Sequence, residues 1–263
     1  MVFDYILIRD EKMLISFFEE FPTKENLSKL ELIDWPTNLY LATTSLEDFL
    51  KIKASIKNKF VKDIIYWPIL RRIEGYWISP FSSRKALLRI FNELKGKKVP
   101  IMLDLELPTT RNPLLYITQG VNFCKNKRLI NMFIREYSGQ IYLAEYYPEG
   151  EKQEQILEQF GLHYNTPTVK IIKMVYHSLH DFNKEFIINE IKRGQKSKIN
   201  NFLLGYGLIS PGINQKEPVL SLKRLKEDLL IAKKNKLNEV IIFRLAGLDK
   251  NYKKIISEIL NSK

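Results

Sequence analysis

Two carboxylates one residue apart, Asp104 and Glu106, stand near the end of an apolar run from Val99 to Pro108. In a strand, side chains alternate between faces, so Met102, Asp104 and Glu106 share one face. Ile101, Leu103 and Leu105 share the other, where a helix can cover them. Paired acids at the end of a buried strand suit general acid–base work, including protonation of a glycosidic oxygen. The same pattern also arises where a strand simply emerges into water. Deciding between these readings requires the elements that would position the pair.

Strand-like and helix-like segments alternate along the chain. Residues 2–8 read as a first strand. In 11–21, Met13, Leu14, Phe17 and Phe18 fall at helical spacing. Residues 22–37 look irregular, with Pro22 and Pro36. Strands are expected at 39–43, 63–70, 99–106, 140–147, 169–177, 201–209 and 240–245. Helices are expected from 45 to 58 with Ser45 as cap, from Ser82 or Ser83 to 94, and over 126–137 and 150–160. Further helices are expected from an Asp181 cap to 193, over 220–234 and over 251–260. Gly75 to Ser79 reads as a hairpin partner of the third strand or as a loop excursion. Eight strands alternating with helices over 263 residues predict an α/β fold, a (β/α)8 TIM barrel in a single domain spanning 1–263. A doubly wound open sheet is the structural alternative.

In such a barrel, chemistry sits at the C-terminal strand ends and the loops that follow. Those ends supply Trp67, Trp77, Glu145, Tyr146, Tyr176, Tyr206, Phe243 and Arg244 beside the two acids. Aromatic faces stack on the C–H faces of sugar rings, and carboxylates bind their hydroxyls. Each aromatic alone reads as core; together with the acids the set points to a carbohydrate ligand. Glu145 is a second carboxylate on the adjacent strand. Its parity is open, because Ile141 and Leu143 share its face. Arg244 lies within an apolar strand and needs an anionic partner, for which Asp104 or Glu106 is the candidate.

Several of these segments, in order, resemble family 18 glycoside hydrolases, the chitinases and endo-β-N-acetylglucosaminidases. Leu103-Asp104-Leu105-Glu106 is similar to the end of that family's DxxDxDxE motif on the fourth strand. Tyr142-Leu143-Ala144, Met174-Val175-Tyr176-His177, Leu204-Gly205-Tyr206-Gly207 and Val240-Ile241-Ile242-Phe243 resemble later strands. Val99 and Met102 occupy the positions of the first two aspartates, His177 that of an Asp, and Phe243 that of a Trp; the third strand has no SxGG pattern. The resemblance implies a barrel hydrolysing an amino-sugar-containing glycan. Glu106 would be the general acid, helped to hold a proton by the like charge of Asp104. Asp104 and Tyr176 would orient the substrate's acetamide, and Phe243 would floor the sugar. The missing aspartates leave open a barrel that binds glycan or protein through Trp67 and Trp77 without turnover.

Composition narrows the remaining classes. The net charge is +12, but the lysines are dispersed, and Arg71-Arg72 and Lys95-Gly96-Lys97-Lys98 are short and isolated. That is a solvated surface rather than the clustered footprint of a nucleic-acid binder. Cys124 is the only cysteine, which excludes an internal disulfide and a cysteine-based metal site. His177, His180 and Asp181 read as polar residues of a solvated loop rather than as a metal site, so neither metal nor cofactor is expected. No Walker lysine motif, GxGxxG or GxSxG occurs. No signal-peptide pattern or apolar stretch of membrane-spanning length is seen, so a cytoplasmic location is expected. Nothing in the sequence sets an oligomeric state.

Overall fold

The computed structural model describes residues 13–109, 114–145, 151–164, 166–197 and 201–262. Eight parallel strands close into a barrel in chain order. They are β1 (Leu14–Glu19), β2 (Thr37–Thr43), β3 (Val61–Pro68), β4 (Ile101–Leu105), β5 (Ile141–Glu145), β6 (Lys170–Val175), β7 (Phe202–Gly207) and β8 (Glu239–Phe243). Closure is made by β1 against β8, with Leu14 opposite Glu239 and Phe18 opposite Phe243. The helices are α1 (Lys24–Ser28), α2 (Leu46–Ser55), α3 (Arg84–Leu94), α4 (Leu114–Gly120) and α5 (Phe123–Glu136), then α6 (Glu151–Gln159), α7 (Lys184–Ser197), α8 (Leu222–Lys234) and α9 (Lys250–Asn261). This is the expected (β/α)8 barrel, and the open-sheet alternative is excluded by the closure.

Strands with helices outside and packed side chains inside are buried on both faces. Ile101, Leu103 and Leu105 of β4 belong to the outer core, with Ala86, Leu87, Ile90 and Leu94 of α3. Those α3 positions recur at helical spacing, so one stripe meets the sheet. Met102 joins Phe18, Tyr40, Ile65, Ile172 and Ile241 in the barrel interior. Helix starts follow the local chemistry: Ser45, Ser221 and Asp249 each accept a backbone N–H of the first turn.

The structure corrects the reading of residues 13–21. They hold strand β1, not a helix, and the 2–8 segment lies outside the described residues. Ile15 and Phe17 face the helices, while Ser16 and Phe18 face the interior. With both faces buried the apolar residues run almost continuously, and such a run also satisfies helical spacing. Two smaller corrections follow. Helix α7 begins at Lys184, with Asn183 rather than Asp181 accepting the N–H of Phe186. The 22–37 region is not wholly irregular, since it holds α1 and a 3₁₀ turn over Lys29–Leu32.

The 69–81 segment, after the end of β3, is a loop excursion, not a hairpin. It runs through a 3₁₀ turn, Arg72–Glu74, then Gly75 at φ 119° and Tyr76 at φ 67°. A Cβ on Gly75 would meet Ser82 Oγ at 2.8 Å, so both the positive φ and the close approach require glycine. Buried Glu74 anchors the turn through Arg71 and both guanidinium nitrogens of Arg89, and these bonds hold its carboxyl down at about 2. The N–H of Ile78 donates to the Asp104 carbonyl at 3.0 Å, which ties the excursion to the end of β4. Among the described residues, no helix is long and apolar enough to cross a membrane.

Candidate functional site

A cavity of about 770 Å³ opens at the C-terminal ends of the strands. Asp104 and Glu106 project into it from the end of β4, as their shared parity requires. Asp104 is 4% exposed and its Oδ1 accepts no hydrogen bond. Burial pushes its carboxyl well above the usual range, and the nearby charges of Glu106 and Glu20 push it further. Glu106 is half-buried at the rim of the same space. Tyr176, just beyond β6, lines the same cavity. Its phenol is raised by burial and then by the three carboxylates Asp104, Glu106 and Glu20.

Aromatic rings make the floor and one side. Trp67 from β3 stacks on Trp77 of the excursion, with centroids 5.9 Å apart and planes 8° off parallel. Phe18 bridges from Trp67 at 5.8 Å to Phe243 at 6.1 Å, and Tyr176 lies 5.9 Å from Phe243. The buried Trp67 Nε1 has no partner. Acids with spare acceptor atoms, set among aromatic faces, match the chemistry of a polyhydroxylated ring.

Glu20 was not among the sequence-derived candidates. It follows β1, lines the cavity and is 2% exposed. The Tyr76 hydroxyl donates to Oε1 at 2.8 Å, while Oε2 has no partner. Burial raises its carboxyl to about 7, against the lowering effects of Tyr76 and Arg244. The alternation Ser16, Phe18, Glu20 carried the signal, but it is visible only once 13–21 is read as a strand.

Other candidates lie elsewhere. Ala144, not Glu145, is the β5 residue lining the cavity. Glu145 points outward, fully buried, and takes Lys173 Nζ at 2.6 Å and His163 Nδ1 at 2.8 Å. Burial opposes its ionisation, but Lys173 and His163 together hold the carboxyl below its ordinary value. Tyr206 is buried in the outer core between sheet and helices. Arg244 donates to Glu19 Oε1 and to the Pro211 carbonyl, both at 2.9 Å, rather than to Asp104 or Glu106. Tyr146 lies outside the described residues. His177 also turns outward, with Nδ1 2.9 Å from the Asp228 carboxylate and Nε2 3.2 Å from the Phe182 carbonyl. Among the described residues, no group of three or more His, Cys, Asp or Glu is arranged to hold a metal ion.

The architecture can be set beside known proteins. No family model matches the sequence, and no curated protein matches it. Solved structures do match in fold. A chitinase from Chromobacterium violaceum superposes with a TM-score of 0.55 at 8% identity, covering 95% of this chain and 100% of that one. A class V chitinase from Pseudomonas fluorescens gives 0.54 at 9% identity, covering 95% and 100%. The glycoside hydrolase domain of PgaB (BpsB) from Bordetella bronchiseptica gives 0.53 at 8%, covering 95% and 98%. At such identities the likeness is one of fold. The chain shares the barrel fold of these structures.

Proposed function

We propose that the chain is a glycoside hydrolase acting on an amino-sugar-containing glycan. One observation carries this reading: Asp104, Glu106 and Tyr176 line a single aromatic-walled cavity at the C-terminal mouth of the barrel. Glu106 is the general acid that protonates the leaving glycosidic oxygen. The sugar then develops oxocarbenium character, which a second group must stabilise. Asp104 and Tyr176 orient that second group, the acetamide that the family resemblance implies. Burial raises the Asp104 carboxyl, and in its protonated form it can donate as well as accept a hydrogen bond to a sugar substituent. Phe243 and the Trp67–Trp77 stack hold the apolar ring faces. Glu145 and Arg244 have their partners outside the cavity, Tyr206 is buried in the outer core, and the three take no part in the chemistry.

The test is release of reporter from aryl N-acetylglucosaminides and cleavage of chitooligosaccharides. Glu106→Gln should lower kcat by about 10²–10⁴-fold, the usual range for loss of an acid–base group. Unchanged turnover in that variant removes Glu106 from the role. A second reading is a glycan-binding barrel without turnover. It is favoured by Met102, an apolar residue fully buried in the interior where the resembled motif has an acid. Wild-type binding of the same oligosaccharides with no cleavage supports it.

A further inference from the structure

A second pair of carboxylates lines the cavity away from β4. Glu20 follows β1, and Glu217 comes from the segment between β7 and α8. Gly212 stands between them: a Cβ there would lie 3.2 Å from Glu20 Oε2, 3.3 Å from Phe243 Cζ and 3.4 Å from Glu217 Oε1. A methyl group there would already be crowded, so the two carboxylate oxygens and the Phe243 edge converge on one point of the cavity wall. Glu20 is 2% exposed and its Oε2 is without a partner. Glu217 is steered by backbone N–H groups of Asn214 and Lys216, each at 3.1 Å.

Among the described residues no Lys or Arg pairs directly with these acids, although Arg244 acts on Glu20 from a longer range. The cavity lining contains neither among the described residues, although the chain carries a net charge of +12. Two nearby guanidinium groups are engaged elsewhere: Arg244 on Glu19 and the Pro211 carbonyl, and Arg72 on the Ile213 carbonyl at 2.7 Å. Among the described residues, no group of three or more His, Cys, Asp or Glu is placed to share a metal ion. A buried carboxylate such as Glu20 is costly to ionise without a cation, and a ligand that brings the positive charge repays that cost.

We propose that the Glu20–Glu217 space binds a protonated primary amine, so that the ligand is a glycan bearing free amino groups rather than only acetamides. This rests on the reading of the mouth as a glycan site, and it names the substrate class. Phe243 adds a cation–π contact to the two carboxylates.

The test is calorimetric titration with a glucosamine tetramer and, separately, an N-acetylglucosamine tetramer, with turnover of each followed in parallel. The wild type should bind the amine-bearing tetramer at least about tenfold tighter, with the preference shrinking as salt rises. Glu20→Gln combined with Glu217→Gln should abolish the preference. Gly212→Ala, which fills the space from the backbone, should do the same if the double variant fails to fold. Equal or better binding of the acetylated tetramer by the wild type, or an unchanged preference in these variants, overturns the proposal. Cleavage of the acetylated tetramer without amine preference overturns it while leaving the hydrolase reading intact. Amine-selective binding with no turnover of either tetramer supports it and counts against the hydrolase reading. Binding of neither overturns both.

Discussion

The two ends of the barrel interior hold buried acids in opposite states. At the N-terminal end, Glu239 is 5% exposed, and its Oε1 accepts from Ser16 at 2.6 Å, Asn38 at 3.0 Å and Tyr40 at 3.2 Å. At the C-terminal mouth, Asp104 Oδ1 and Glu20 Oε2 accept nothing. Among the described residues, no ion pair reaches Glu20 or Asp104. Outside the barrel, Glu145 is as deeply buried but sits against Lys173 and His163. Burial alone therefore does not mark function in this molecule. Glu145 Oε1 is also unpartnered, but that carboxylate holds Lys173 and His163; the mark is burial with acceptor capacity left unused and no cation in contact, and it appears at Asp104 and Glu20, where barrel enzymes keep their chemistry. The acid at the closed end is built into the fold.

Four substitutions can break or sharpen that contrast. The largest effect is expected at Glu145→Ala, which takes from Lys173 and His163 their shared buried carboxylate and leaves Lys173 only Glu154, at 3.5 Å. It should cost about 3–5 kcal/mol, read as a fall in denaturation midpoint, with kcat of the folded fraction unchanged. Glu20→Gln should act through pH. The Glu20 carboxyl is raised from 4.5 to about 7 in the folded state, so the native protein holds this proton more tightly than the unfolded chain. The resulting stability is fully present below pH 4.5 and is lost as pH rises through about 7. Glu20→Gln should therefore match the wild type near pH 4 and exceed it by up to about 3 kcal/mol at pH 8. A parallel pH dependence in the two proteins would show that Glu20 has an ordinary carboxyl. Glu239→Ala leaves three donors without their acceptor and should cost about 1–3 kcal/mol, again with ligand affinity unchanged. The smallest effect is expected at Trp77→Phe. Loss of the broader indole stacked on Trp67 should weaken oligosaccharide binding by about threefold to tenfold, with little change in the thermal midpoint.

Much of this contrast was legible in the sequence, and what was not has identifiable causes. Strands β2 to β8 announced themselves because turn residues and capped helices separate them. The parity of Met102, Asp104 and Glu106 needed nothing beyond the period of a strand. β1 was illegible because Met13 to Phe18 is apolar on both faces, and Glu20 was lost with it. Glu145 turned on a parity that its neighbours Ile141 and Leu143 already favoured as outward. Arg244 signalled a buried anion correctly, but its partner Glu19 lies on β1, the strand that the periodicity misassigned. The stacking of Trp77 on Trp67 depends on the loop that returns to the Asp104 carbonyl, which no local pattern encodes.

The contrast between the two ends is tested most directly by measuring oligosaccharide turnover and thermal stability in Glu106→Gln and Glu239→Ala side by side. The account predicts that Glu106→Gln loses about two orders of magnitude or more in kcat with its melting temperature intact. Glu239→Ala should keep its kcat and lose stability. Full turnover in Glu106→Gln, or loss of turnover in folded Glu239→Ala, would contradict it.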